Sequence, residues 1–228
     1  MTAACTRRSL VAGIIAVGFA APSVASARAR TDEQQLVDAA TATFNELLAD
    51  RNMRWLRTNL RSAYGVLIAP RIVKGGLIIG GSAGDAVLVT RGRDGSWAGP
   101  AFYNLTTGSI GLQAGVAEMR TVTLAMTQQA VDRLLTGSVK LGGDLSVAAG
   151  PVGVGANTNV RADFLTFAKS KGVFGGLNME GTGVGTDSRR NAAYYGPGTT
   201  PADILVTRTA GPNPGGAALR RAIARAAG

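Results

Sequence analysis

The chain has 228 residues, 46% hydrophobic and 17% charged, enough for one domain with a real core and unlike a disordered polymer. It has no histidine and a single cysteine, Cys5, which excludes histidine triads, histidine metal sites and histidine pH switching and leaves no basis for a disulfide or a zinc–thiolate site. Its net charge of +10 suits anionic partners such as a membrane surface, nucleic acid or an acidic polymer, with plain solubility as the alternative.

Residues 1–27 read as an export signal. Arg7 and Arg8 form a basic start, and Leu10 to Ala21 is an apolar stretch too short to span a bilayer. Ala25-Ser26-Ala27 is an A-x-A site, which puts cleavage after Ala27. The Arg7-Arg8 pair also fits a twin-arginine signal, with an ordinary Sec signal as the other reading. The expected location is the periplasm or the medium.

A helical arm is expected over residues 28–62. Thr31 with Gln34 resembles a capping box, and Leu36, Val37, Ala40, Phe44, Leu47 and Leu48 follow at helical spacing. A second helical stretch covers about residues 52–62. Met53, Leu56 and Leu60 share one face; Arg51, Arg54, Arg57 and Arg61 share a neighbouring face with Trp55 at its border. A basic amphipathic helix with an interfacial aromatic is the pattern expected at an anionic membrane surface. Each such charge contributes about 1 kcal/mol near an anionic bilayer. The alternative is a helix whose apolar face packs on the domain while its arginines are merely solvated.

From Gly65 to about Val184 the pattern is mostly period two, interrupted by many of the 32 glycines. Strands are expected on either side of Pro70, and Asp94-Gly95 marks a hairpin turn. Glu118 and Arg120 fall on an apolar side, which suggests a bend, a bulge or a buried ion pair. A short helix runs from Thr127 to Leu135 and stops at Gly137; Val139, Leu141, Leu145 and Val147 resume the strand pattern. Asp163 to Lys169 and Val173 to Gly183 add strands, and a helix follows at about Asp187 to Tyr195. The Pro/Gly-rich tail, residues 197–228, holds one short helical turn at Thr200 and a short basic helix from Leu219 to Ala227, docked or mobile. The fold class is α+β: a curled, glycine-rich antiparallel sheet or partial barrel with N-terminal helices and short packing helices.

Several blocks resemble the SYLF family of lipid-binding domains. They are Ala63-Tyr64-Gly65-Val66, Val73-Lys74-Gly75-Gly76, Gly80-Gly81-Ser82-Ala83-Gly84, W-A-G-P-A from Trp97, L-G-G-D-L-S-V-A-A-G-P from Leu141, F-A-K-S-K-G-V-F-G-G from Phe167, and N-A-A-Y-Y-G from Asn191. The resemblance places a SYLF-like domain at residues 63–196. It implies binding rather than catalysis: anionic lipid, phosphoinositides among them, taken up through a basic N-terminal helix, and actin in some eukaryotic members. Carried over, the lipid-facing residues are Arg51, Arg54, Trp55, Arg57 and Arg61, with Lys74 and Lys171 as further candidates. The eukaryotic A-K-G motif reads Ala63-Tyr64-Gly65 here, so one lysine is missing. Export would also remove cytosolic actin and cytosolic phosphoinositides as partners.

The leading expectation is therefore a non-catalytic envelope protein that binds anionic lipid and needs no cofactor. A structural protein, or a carrier holding an apolar molecule inside the curled sheet, is the alternative. An enzyme would need two of Glu118, Asp144 and Glu180 to converge, since paired carboxylates hydrolyse glycosides at separations of about 5–9.5 Å. Nucleic acid is not an expected partner, because export removes it and the aromatics are not interleaved with basic residues.

Overall fold

The computed structural model describes residues 31–76, 79–110, 115–150, 162–170, 173–175 and 181–228. The export signal, Lys171 and Glu180 lie outside them. Helix α1 (Asp32–Ala49) begins where the sequence puts it: the Thr31 hydroxyl accepts from the Gln34 amide, and Asp32 and Glu33 sit at the positive end of the helix. The Gln34 side chain donates to Asp38 at 2.9 Å and to the Gly215 carbonyl at 3.2 Å, so it ties the helix to the tail. Asp50 ends α1 and caps a 3₁₀ turn, Arg51–Met53, which runs into α2 (Arg54–Leu60).

The strands are β1 (Gly65–Gly76), β2 (Ile79–Arg91), β3 (Trp97–Ile110), β4 (Gly115–Ala125), β5 (Ser138–Lys140), β6 (Val147–Ala149), β7 (Phe164–Ser170), β8 (Val173–Gly175) and β9 (Thr182–Thr186). They form one strongly curled half-barrel in the order β5-β9-β3-β2-β1-β4-β7-β6, with β8 beside β7. Every pairing is antiparallel except β6 with β7. The expected α+β architecture and partial barrel are thus present. The remaining helices are α3 (Gln128–Leu135), α4 (Ser188–Tyr195), α5 (Pro201–Leu205) and α6 (Ala217–Ala227).

The central strands are apolar at both parities because both faces of the sheet are covered. Val66, Ile68, Val87, Val89, Phe102, Val122, Leu124, Leu165 and Phe167 pack against α1, α2 and α6. Leu67, Ala69, Ala86, Leu88, Ala101, Tyr103 and Leu105 pack on the other side against α3 and α5. The N-terminal arm and the tail helix therefore share one core with the sheet rather than standing apart from it. Helix α6 starts two residues before the expected Leu219 and buries Leu219, Ala222, Ile223 and Ala227.

Pro70 does not divide two strands. It lies in a bulge of one continuous central strand, where the register shifts between Ile68 and Arg71 against β2 and between Ala69 and Ile72 against β4. A bulge is where a proline can sit inside a sheet, since it removes the need for its missing amide. The extra residue reverses the facing: Leu67 and Ala69 share one side, and Ile72 joins them from the opposite parity. Gly84 pairs with Ile72 beside this bulge, and a Cβ there would lie 2.5 Å from the Arg71 carbonyl oxygen. Only glycine fits.

Of the bend, bulge or buried ion pair expected near Glu118 and Arg120, the bulge is present: the β1–β4 register shifts between the pairs Ala69–Thr121 and Ile72–Met119, beside Arg120. The buried pair is not: Glu118 meets Arg71 at 3.2 Å, and Arg120 meets Glu46 at 2.6 Å, both at partly exposed positions. The strand pattern expected over Val139, Leu141, Leu145 and Val147 resolves into two short strands. Gly142 adopts φ 78° and Asp144 accepts from the Lys140 amide, turning the chain so that β5 joins β9 and β6 joins β7. Periodicity cannot see such a turn when apolar residues flank it at even spacing.

The N-A-A-Y-Y-G block is a clasp. Asn191 is fully buried; its Oδ1 accepts from the Phe102 amide at 2.9 Å and its Nδ2 donates to the Phe102 carbonyl at 3.2 Å. It supplies a ladder rung to β3 one residue beyond the last pair with β9, Tyr103 with Thr186. The Tyr194 ring meets Phe102 edge-on at 5.1 Å, and the Tyr195 hydroxyl donates to the Pro100 carbonyl.

Candidate lipid-facing surface

Helix α2 is amphipathic, and its apolar face is already occupied. Met53, Leu56 and Leu60 are each 0% exposed within the helix-side core. At about 2 kcal/mol per buried side chain, roughly 6 kcal/mol hold the helix to the domain. Lifting it into a bilayer would also uncover the sheet beneath, so its arginines are presented from a docked helix.

The four arginines do not share one environment. Arg51, Arg54 and Arg61 are exposed. Arg57 is half-buried, and its Nη1 donates to the carbonyls of Leu48 at 2.6 Å and Asp50 at 2.8 Å. The Leu48 oxygen lies at the negative end of α1, and the Asp50 oxygen, just beyond it, also accepts from the Met53 amide at 3.1 Å, so the guanidinium staples the end of α1 to α2. Trp55 is half-buried against the same core, and its carbonyl accepts from Asn59. Lys74 is half-buried nine residues into β1, about 30 Å of strand from α2. It does not belong to the α2 surface.

Tertiary structure adds basic residues that the helix pattern could not indicate. Arg91 Nη1 donates to the Arg61 carbonyl at 2.7 Å, and its guanidinium lies 5.5 Å from the Trp97 ring centre, a cation–π distance. Arg91 ends β2, so the α2 surface continues onto the β2–β3 hairpin tip, which carries exposed Arg93. Arg208 reaches the same tip from 114 positions away, pairing with Asp94 at 3.2 Å. The Asp94 carboxyl is held down at about 2, chiefly by the Ser96 hydroxyl and then by Arg208, so it stays ionised at any ordinary pH. An Arg-Gly-Arg at a hairpin turn was the only local signal for this extension. Tyr64, at the position of the missing lysine, is 43% exposed, and its carbonyl accepts from the Arg91 amide.

On the other side of the helical layer Glu46 bridges Lys169 at 2.7 Å and Arg120 at 2.6 Å. The Lys169 hydrogen bond lowers the Glu46 pKa, burial works against it, and Arg120 lowers it further. The acids considered for catalysis are separately engaged: Glu118 pairs with Arg71 and Asp144 caps the turn after β5. Among the described residues no group of three or more histidine, cysteine or acidic side chains could hold a metal, and no helix is long and apolar enough to cross a membrane.

Fold and surface together define an α+β domain with side-chain-filled faces and an arginine-bearing exterior. Residues 106–226 match the Ysc84 family, described as Las17-binding protein actin regulators. LAS seventeen-binding protein 3 of Saccharomyces cerevisiae is 33% identical over 156 residues, 65% of this chain and 34% of that protein. An SH3 domain-containing protein of Schizosaccharomyces pombe is 30% identical over 162 residues, 67% of this chain and 37% of its own length. Human SH3 domain-containing YSC84-like protein 1 is 29% identical over 146 residues, 62% of this chain and 43% of that protein. The chain belongs to the Ysc84 family, the SYLF family that its glycine-rich blocks resemble. It spans about a third of the length of the yeast relatives, one of which is named for binding, and the family is described in terms of binding and regulation.

Proposed function

We propose that this domain is a binding module that docks on an anionic membrane surface of the bacterial envelope through Arg51, Arg54 and Arg61. The observation that carries this reading is the division of α2: its apolar face is spent on the core, while three arginines stay exposed. Arg93 on the neighbouring hairpin tip extends the same charge. Docking of this kind is electrostatic and peripheral, with no inserted helix. The export signal read in residues 1–27 supports an envelope location and argues against cytosolic actin. A protein partner is the second reading, supported by the family's description as Las17-binding actin regulators. The carrier reading has less support, since side chains fill both described faces of the sheet.

The test is co-sedimentation with neutral and anionic phospholipid vesicles at low and high salt. Three arginines at about 1 kcal/mol each amount to roughly 150-fold in affinity. Anionic vesicles should bind, neutral ones should not, and 1 M salt, with a Debye length of about 3 Å, should abolish binding. Reversal of all three, R51E/R54E/R61E, should remove it. Tyr64→Lys should strengthen it about fivefold, since it restores one exposed charge. Binding to neutral vesicles, or binding that survives the triple reversal, would refute membrane docking; capture of filamentous actin instead would favour the second reading.

A further inference from the structure

Between the start of β3, α5, the tail and α6 lies a cleft of about 250 Å³ with the chemistry of a small-molecule site. Its lining includes apolar Trp97, Ile204 and Pro212 together with two arginines, Arg208 and Arg220. Arg220 is half-buried and fixed in place: its Nη1 donates to the Gly99 carbonyl at 2.5 Å, and both Nη atoms donate to the Asn213 carbonyl at 3.3 Å. Among the described residues these neutral oxygens are its hydrogen-bond partners, and no carboxylate lies within salt-bridge distance of it. A half-buried cation in that condition favours an anion beside it.

The backbone of the cleft is also unusual. Arg208 has φ 58° and is the one non-glycine residue with positive φ among the described residues. Gly99 at φ 122° and Gly211 at φ 72° line the same space. A side chain on Gly99 would strike the Leu88 carbonyl at 2.8 Å. Left-handed backbone at a bulky residue is costly and persists where surrounding structure enforces it, often at a ligand site. Among the described residues the Arg208 fork is held only by exposed Asp94, at 3.2 and 3.3 Å, so a stronger anion can compete for it.

We propose that this cleft binds a small amphipathic anion, a carboxylate or phosphate ester on a short apolar tail, with the tail against Trp97 and Ile204 and the acid group between Arg208 and Arg220. A cleft of about 250 Å³ matches a short-chain occupant. The cleft adjoins the hairpin tip that continues the α2 surface, but Arg51, Arg54 and Arg61 are not among its lining residues, so binding there does not depend on membrane docking.

Trp97 is the reporter. The chain holds two tryptophans, so Trp55→Phe leaves it as the single emitter. In that background the protein is titrated with octanoate, octyl phosphate, octanol and inorganic phosphate. Octanoate or octyl phosphate should shift Trp97 emission at or below about 1 mM, with octanol and inorganic phosphate at least about tenfold weaker. Which of the two amphiphiles binds tighter tells a free carboxylate from a phosphate headgroup. Arg208→Asn should weaken the response by about tenfold or more without lowering Tm, because asparagine tolerates the left-handed backbone. Asp94→Asn should tighten it about threefold or more by removing the competing carboxylate. R51E/R54E/R61E should leave it unchanged, so failure here and failure of vesicle docking are read apart. Equal responses to octanoate and octanol, or none to either amphiphile, would overturn the proposal. Equal responses to octyl phosphate and inorganic phosphate would overturn the part assigned to the tail.

Discussion

Asn191→Ala tests whether the clasp on β3 is structural. The substitution leaves the Phe102 amide, which Asn191 Oδ1 accepts from at 2.9 Å, without a partner in a fully buried site. An orphaned buried donor costs about 1–3 kcal/mol. The Phe102 carbonyl fares better, since it keeps the bond from the Asp187 amide at 3.0 Å and loses only the one from Asn191 Nδ2. That second loss is worth about 1 kcal/mol, giving roughly 2–4 kcal/mol in all. Against a total stability of about 5–15 kcal/mol this is large. Urea unfolding followed by circular dichroism should show the midpoint falling by about 1–2 M with an unchanged slope near 2 kcal/mol/M. The thermal midpoint should fall by about 6–12 °C. A loss below about 1 kcal/mol would refute the reasoning and mean that water or a shifted backbone replaces the side chain without penalty.

Arg57→Ala should cost about 1–3 kcal/mol in the same assay, by leaving the Leu48 carbonyl unmet and the Asp50 carbonyl with only the Met53 amide, whereas Arg54→Ala should stay within about 0.5 kcal/mol; equal effects would deny the staple. Gly84→Ala should destabilise by about 1–3 kcal/mol, because its Cβ would sit 2.5 Å from the Arg71 carbonyl and the bulge cannot retreat from between two strands. Glu46 has a folded pKa lowered below its ordinary value of 4.5, so its contribution is present above that pH and is lost as pH falls through the folded value. Stability measured from pH 6 to pH 3 should therefore drop less steeply in Glu46→Gln than in the parent, and identical acid limbs would show that its pairs with Lys169 and Arg120 contribute nothing.

Local signals were legible wherever the physics is local. Thr31, Thr127, Asp187 and Thr200 each cap the helix they were expected to open, because a side-chain oxygen three residues from an unmet amide is a short-range bond. Asp94-Gly95 turns the β2–β3 hairpin with Gly95 at φ 77°, and glycine adopts that angle without strain. The α+β class, the curled sheet and the family could likewise be read from the order of strands, helices and glycine blocks.

What the sequence could not settle was which partner each residue meets across the fold. The helical wheel groups Arg57 with Arg51, Arg54 and Arg61, yet only the packing of α2 against the end of α1 decides that one guanidinium closes carbonyls while three remain exposed. Pro70 reads as a break, and only pairing on both sides of β1 makes it a bulge within one strand. Arg208 meets Asp94 across 114 positions of chain, and Asn191 meets Phe102 across 89. Caps, turns and periodicity depend on neighbours a few residues away and are written locally. The arginine surface and the Trp97 cleft depend on long-range closure of the chain, and so belong to the tertiary structure alone.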